Sequence, residues 1–304
     1  MAGMMRYDLC LASNWEYDTD FIRLLDSACA ARGLSLLTVT AHNLAESLSR
    51  LAGREAGFRA LLDRASEADP AYLPLVEVAR SLNACRLNPR ELADRAYDKA
   101  AVHHAFLDDG IPTPQTVILP AFRLQSDLPS LDLALLGKQF AVKPALGGGG
   151  EGVIMEVSTS EQVQAARTQF PDQQYLLQEH VTPKLANGLP AWFRVIYCLG
   201  GIHPCFWDVK THVYTPLRAE TETRLGLGSL REVTKRIASI CRLDLFSTEI
   251  AWTEDNRLLV VDYVNDPIDL RVQSRAADGV PDFIVEDIAA RIAEAATESE
   301  PRFL

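Results

Sequence analysis

One stretch of the chain has residue types and spacing suited to binding phosphate. Phe140-Ala141-Val142-Lys143-Pro144 is an apolar segment closed by a lysine, and Gly147, Gly148, Gly149, Gly150 and Gly152 crowd the loop that follows. The loop leaves through a second apolar segment, Val153-Ile154-Met155-Glu156-Val157. Without Cβ atoms, consecutive backbone N–H groups can turn inward and cradle an anion. An ammonium group beside them adds a compact positive charge. The chemistry this suggests is recognition of a nucleotide's phosphates. Gly147 and Gly152 have P-loop spacing, but Val153 and Ile154 stand where that loop carries Lys and Ser/Thr. Gly147, Gly149 and Gly152 also fit GxGxxG, yet that fingerprint opens a helix, and residues 153–157 read as a strand. Strand, glycine loop, strand is a hairpin, and a plain hairpin turn rarely needs so many glycines.

The elements that must position this loop are legible in outline. Residues 7–12 read as a strand, 19–31 as a helix closed by Gly33, and 34–40 as the next strand, a βαβ unit. Residues 44–68 read as one helix, 69–74 as a break, and 81–87 as the end of an apolar run. Asn88-Pro89 has the form of a helix start, with Asn88 as N-cap, for a helix through 91–109 that Gly110 stops. An extended segment at 115–119, strands at 139–143 and 153–157, a helix at 160–170 capped by Ser160, and a strand at 175–178 follow. Strands are expected at 193–199, 203–209, 248–252 and 258–263, helices at 230–241 and 282–296, and a frayed tail at 298–304. The fold class is α/β with α+β character. The expected units are an N-terminal α/β domain (1–88), a central unit bearing the glycine loop (89–180) and a C-terminal α+β unit (181–304).

At 304 residues and a net charge of −11, with no long Lys/Arg cluster, neither nucleic acid nor an anionic membrane surface is an expected partner. No apolar stretch is long enough to span a membrane, and the first residues lack a signal-peptide layout, so a cytoplasmic protein is expected. The six cysteines contain no CxxC pair and are expected as reduced, buried thiols. Cys198, His203 and Cys205 come nearest to a metal cluster but lack a fourth ligand at zinc spacing.

Four elements in order resemble the ATP-grasp superfamily, which includes D-alanine–D-alanine ligase, biotin carboxylase and ribosomal-protein glutamate ligase. They are Asp98-Lys99 in a helix ending at Gly110-Ile111-Pro112, the Val142-Lys143-Pro144 strand with its glycine loop, Leu177-Gln178-Glu179-His180-Val181, and the pair Thr248-Glu249-Ile250 and Val261-Asp262-Tyr263-Val264-Asn265. The resemblance runs from Asn88 to the C-terminus and implies that Lys99 and Lys143 hold the ATP phosphates while the glycine loop closes as a lid. It also implies that Gln178, Glu179, His180 and Val181 form the hinge that reads the adenine. Lys184 and Asn187 stand where relatives often place an acid for the ribose. By the same resemblance Glu249, Asp262 and Asn265 are the Mg²⁺ ligands, a donor set that suits a hard cation. The usual pattern is Glu-x-Asn; here two residues separate Asp262 from Asn265, which puts them on opposite faces of a regular strand. A bulge, or a strand ending near Tyr263, would restore convergence; otherwise Asp266 or a water must serve.

Arg194 and Arg271 are candidates to stabilise the transferred phosphate, because the guanidinium fork matches phosphate oxygens. Ser13, Asn14 and Glu16 follow the first strand, where α/β domains place ligand contacts. Lys210 and His212 are weaker substrate-facing candidates, and His103-His104 has no chemical role assigned. The activity implied is an ATP-dependent, ADP-forming carboxylate–amine (or thiol) ligase acting through an acyl phosphate. Its partners would be a small-molecule carboxylate and an amine, an amino acid or peptide among them, and a homodimer is a further expectation. A small-molecule kinase on the same fold and a non-catalytic nucleotide-binding module are the alternatives.

Overall fold

The structure, a computed structural model, describes residues 5–129 and 132–297. The tail expected at 298–304 and the first four residues lie outside the described residues.

The N-terminal sheet comprises β1 (Met5–Ser13), β2 (Leu36–Val39), β3 (Ala56–Arg64) and β4 (Cys85–Leu87), with α1 (Thr19–Ala30), α2 (Leu44–Ala52) and α3 (Leu73–Ser81) as crossovers. Every pairing is parallel, in the order β2-β1-β3-β4. Side chains alternate along a strand, so both faces of β1 are buried. Leu9 and Leu11 join Phe21 and Leu25 of α1 on one side; Cys10 and Ala12 join Leu51, Leu75 and Val76 on the other. The single helix expected over 44–68 is instead α2 followed by β3, a central strand. Arg54 turns the chain with φ 57°, and Phe58 and Leu62 then pair with Tyr7 and Leu11 of β1. Apolar residues here satisfy either period, and pairing with β1 decides it.

The helix expected over 91–109 is broken at Asp98 into α4 (Arg90–Tyr97) and α5 (Lys99–Asp108). Asp98 is extended (φ −79°, ψ 95°) and its carboxylate accepts from Ala100 N and Ala101 N, capping α5. Asn88 does not cap α4. Its Oδ1 accepts from Asp244 N and Leu245 N, and its Nδ2 donates to Leu245 O at 2.6 Å, tying the start of α4 to a strand far along the chain.

A second, antiparallel sheet, in the order β5-β8-β6-β7, holds β5 (Thr116–Leu119), β6 (Phe140–Pro144), β7 (Ile154–Val157) and β8 (Tyr175–Glu179). Its helix α6 (Ser160–Arg167) is capped by Thr159 rather than Ser160, in a reciprocal box with Gln162.

The third sheet, β13-β12-β11-β14-β15, is also antiparallel. A short hairpin, β9 (Leu185–Ala186) and β10 (Leu189–Pro190), leads into β11 (Trp192–Cys198), β12 (Gly201–Trp207) and β13 (Tyr214–Pro216). Helices α7 (Ala219–Leu225) and α8 (Ser229–Cys241), strands β14 (Leu245–Trp252) and β15 (Leu258–Asn265), and α9 (Asp282–Ala295) complete the chain. The hairpin, β13 and α7 were not expected. Leu230 and Ile237 of α8 pack with Phe193, Phe246 and Ile250 on one face. Ile284, Ile288 and Ile292 of α9 pack with Ile196, Cys198 and Leu245 on the other, in a cluster that includes Leu9 and Phe21. One core therefore links the first and third sheets. Among the described residues no helix is long and apolar enough to cross a membrane.

Candidate nucleotide and metal site

The glycine loop is the β6–β7 hairpin connection. Lys143 is the penultimate residue of β6, and Lys99, freed by the break at Asp98, is the first residue of α5. Lys99 N donates to Ala145 O at 2.9 Å and Lys99 Nζ donates to Gly147 O, so α5 begins against the loop entrance. Burial pushes both ammonium groups below the ordinary lysine range, and the negative charge of Asp262 opposes the shift at each. Two glycines of the loop are sterically required. A Cβ at Gly148 would lie 2.8 Å from the Tyr97 hydroxyl, and one at Gly152, where φ is +69°, would lie 2.5 Å from the Phe170 ring.

The expected hinge begins in the last two residues of β8 and runs on past its end. Gln178 is 2% exposed, and its Oε1 accepts from Lys143 Nζ at 2.7 Å. The Glu179 carboxylate accepts from Gln115 N at 2.8 Å, His180 is exposed, and Val181 packs on Ala251 and Leu259. Lys184 and Asn187 are engaged elsewhere. Lys184 Nζ sits 3.2 Å from the Trp252 ring centroid and donates to Asn256, while Asn187 Oδ1 accepts from Arg224.

Glu249 and Asp262 are directly paired across β14 and β15, and Ser247 pairs with Asn265. Two steps along β14 thus match three along β15, which is a β-bulge between Asp262 and Asn265. The extra residue returns Asn265 to register near Asp262, one of the two routes by which the unusual spacing could be accommodated. Trp192 Nε1 donates to Glu249 Oε2 at 2.9 Å, and Arg194 Nη1 lies 3.5 Å from Oε1. Burial, and next the charge of Asp262, push the Glu249 carboxyl above its usual range. Among the described residues no three His, Cys, Asp or Glu cluster as a metal site, so the candidate set is two carboxylates and an amide. That set fits Mg²⁺. The donors are hard oxygens, and a cation between the strands would offset the Asp262 charge that pushes the Glu249 carboxyl up.

Arg194 also donates from Nε to Ser247 Oγ (3.1 Å) and lies 4.8 Å from the Trp207 ring centroid. Arg271 follows β15, ion-paired with Asp269 at 2.6 Å and Asp278 at 2.8 Å and set against the Tyr17 ring. His212 stacks on Trp207 at 5.3 Å, while Lys210 is exposed on the same turn. Ser13 donates to Asp18, whose carboxylate is bidentate with the buried Arg64, while Asn14 and Glu16 are exposed.

Three residues at the site escape a reading of the sequence. Trp192 holds Glu249, and Tyr263 and His103 lie behind Lys143. His103 Nδ1 is 2.6 Å from Tyr263 Oη, and burial lowers the imidazole to about 4. The available signal was a tyrosine directly after Asp262 in a mostly aliphatic strand and a histidine at a buried position of α5.

No family model matches the sequence, and no curated protein matches it. Solved structures do. A RimK-domain ATP-grasp protein from Sphaerobacter thermophilus superposes with a TM-score of 0.62 at 21% identity, over 94% of this chain and 98% of that one. The ATP-grasp ligase PsnB, in complex with a minimal precursor, Mg and ADP, gives 0.63 at 14% identity, over 95% and 97%. D-alanine–D-alanine ligase from Bacillus anthracis, in complex with ATP, gives 0.60 at 13% identity, over 95% and 99%. Likeness at such identities establishes the fold.

Proposed function

We propose that this chain, which has the ATP-grasp fold, is an ATP-dependent, ADP-forming ligase that joins a carboxylate to an amine or thiol. The observation carrying this reading is the convergence of Lys99, Lys143 and the glycine loop with Glu249, Asp262 and the bulge-shifted Asn265. Lys99 and Lys143 would bind the phosphate oxygens, and the loop would exclude water from above. Mg²⁺ held by Glu249, Asp262 and Asn265 would supply charge neutralisation at the phosphates. A substrate carboxylate oxygen attacks the γ-phosphorus and ADP leaves; the amine then attacks the acyl carbon and phosphate leaves. Positioning and electrostatics carry the rate, with no enzyme nucleophile. Arg194, beside Glu249, is the residue proposed to steady the transferred phosphoryl group, with Arg271 a second candidate. That the neighbours include ligases bound to ATP or to Mg and ADP supports this choice of chemistry.

The test is a screen of amino acids and dipeptides, singly and in pairs, for ADP release, with hydroxylamine replacing the amine. ADP release that needs an acid, with hydroxamate formed, is the expected result. Phosphorylated product without hydroxamate would point to a kinase, and ATP binding without turnover to a non-catalytic module.

A further inference from the structure

Behind Lys143 runs a chain of buried polar groups that the nucleotide reading does not use. Gln178, His103 and Tyr263 are 2%, 3% and 2% exposed, and come from β8, α5 and β15 respectively. The Lys143 ammonium sets the direction of the hydrogen bonds made by Gln178. Lys143 Nζ can only donate, so the Gln178 atom at 2.7 Å is its carbonyl oxygen. The Gln178 amide then points away from Lys143 and donates to Tyr263 Oη at 3.2 Å and toward Thr116 Oγ1 at 3.5 Å. Tyr263 Oη, accepting from Gln178, lies 2.6 Å from His103 Nδ1, and it donates its proton there in the tautomer that leaves Nδ1 bare. Phe106 packs edge-on against the tyrosine ring at 5.2 Å and His103 stacks on it at 5.8 Å, so the hydroxyl has little room to swing. The line ends on the half-buried ammonium group of Lys143.

We propose that Gln178, Tyr263 and His103 are positioning residues that aim the Lys143 ammonium at the triphosphate, and that Gln178 therefore serves the phosphates rather than the adenine. The inference rests on the nucleotide reading above and deepens it. Tyr263 directly follows Asp262 on β15, so one strand would place a metal ligand and, through Gln178, the phosphate lysine. The positions of the cation and the ammonium would then be set together.

The test is calorimetric titration of the full chain with ATP plus Mg²⁺, ADP plus Mg²⁺, and adenosine, in the wild type and in Gln178→Leu, Tyr263→Phe and His103→Leu. The expected pattern is graded. ATP affinity falls about thirtyfold, tenfold and threefold in that order as the break moves away from Lys143, while adenosine affinity changes less than about twofold. His103→Gln, whose side-chain oxygen can still accept from Tyr263, restores most of the loss seen with leucine. Equal losses for adenosine and ATP would overturn the proposal by making Gln178 a base reader or the effect general unfolding. Unchanged ATP affinity in a folded Tyr263→Phe would overturn the relay alone. Absence of ATP binding by the wild type would instead remove the nucleotide reading, and the relay with it.

Discussion

At the phosphate end of the site, Lys143, Gln178, Tyr263 and Glu249 turn their side chains inward, and each finds a partner there. At the hinge, Glu179 spends a carboxylate oxygen on Gln115 N, His180 faces solvent, and Val181 packs on Ala251 and Leu259. Glu179 and Val181 thus have structural occupations, whereas the phosphate end holds partly buried charges that a ligand would compensate. A buried charge is costly unless it is paired, so substitutions at the phosphate end should matter far more than those at the hinge.

The largest expected effect follows from removing the half-buried ammonium of Lys143. Lys143→Met should weaken ATP binding by about 100-fold or more while leaving the chain folded, checked by calorimetry and circular dichroism. Glu249→Gln comes next. It should cost about thirtyfold in ADP formation and flatten the Mg²⁺ dependence of ATP affinity, because it removes one of two facing carboxylates. Gly148→Ala should lose about tenfold in ATP affinity, since its Cβ would meet the Tyr97 hydroxyl at 2.8 Å. Adding Tyr97→Phe should recover most of that loss, and failure to recover would mean that the loop tolerates no side chain for another reason.

Asp244, at the Asn88 tie, belongs to neither end and serves as a control. Burial raises its carboxyl from 3.8 to about 6, so the folded chain holds the proton more tightly than the unfolded one. The resulting stabilisation is full below about pH 4 and is lost as pH rises through about 6. Asp244→Asn should therefore raise stability at pH 7 by about 1 kcal/mol after allowance for partial solvation, flatten that pH dependence, and leave ATP affinity unchanged. Glu179→Ala is the smallest. Less than about a threefold change in affinity for ATP or adenosine is expected, since its carboxylate serves Gln115; a tenfold loss for adenosine would erase the contrast between the two ends.

The same contrast explains what could be read from the sequence. The glycine hairpin was legible because a lysine closing an apolar strand before clustered glycines has few uses, and the ordered motifs around it led to the ATP-grasp fold that the solved structures share. Strand β3 was not, because its apolar residues fit a helical period as well and only pairing with β1 chooses. The break at Asp98 was hidden because Asp98 caps a helix that begins where another ends, and so was the release of Lys99 to meet Gly147. Asn88 looked like a cap and is a long-range tie, since an Asn-Pro pair carries no sign of a partner many residues away. The bulge in β15 could be named only as one way to reconcile Asp262 with Asn265, because register depends on the facing strand.

We propose that the two lysines, the glycine loop and the acid pair together hold a triphosphate. This is tested most directly by the affinity of the wild-type chain for ATP and for AMP, each with and without Mg²⁺. ATP should bind at least about 100-fold more tightly than AMP with Mg²⁺ present, and most of this preference should disappear when Mg²⁺ is withheld. Equal affinity for ATP and AMP, or a preference indifferent to Mg²⁺, would contradict it.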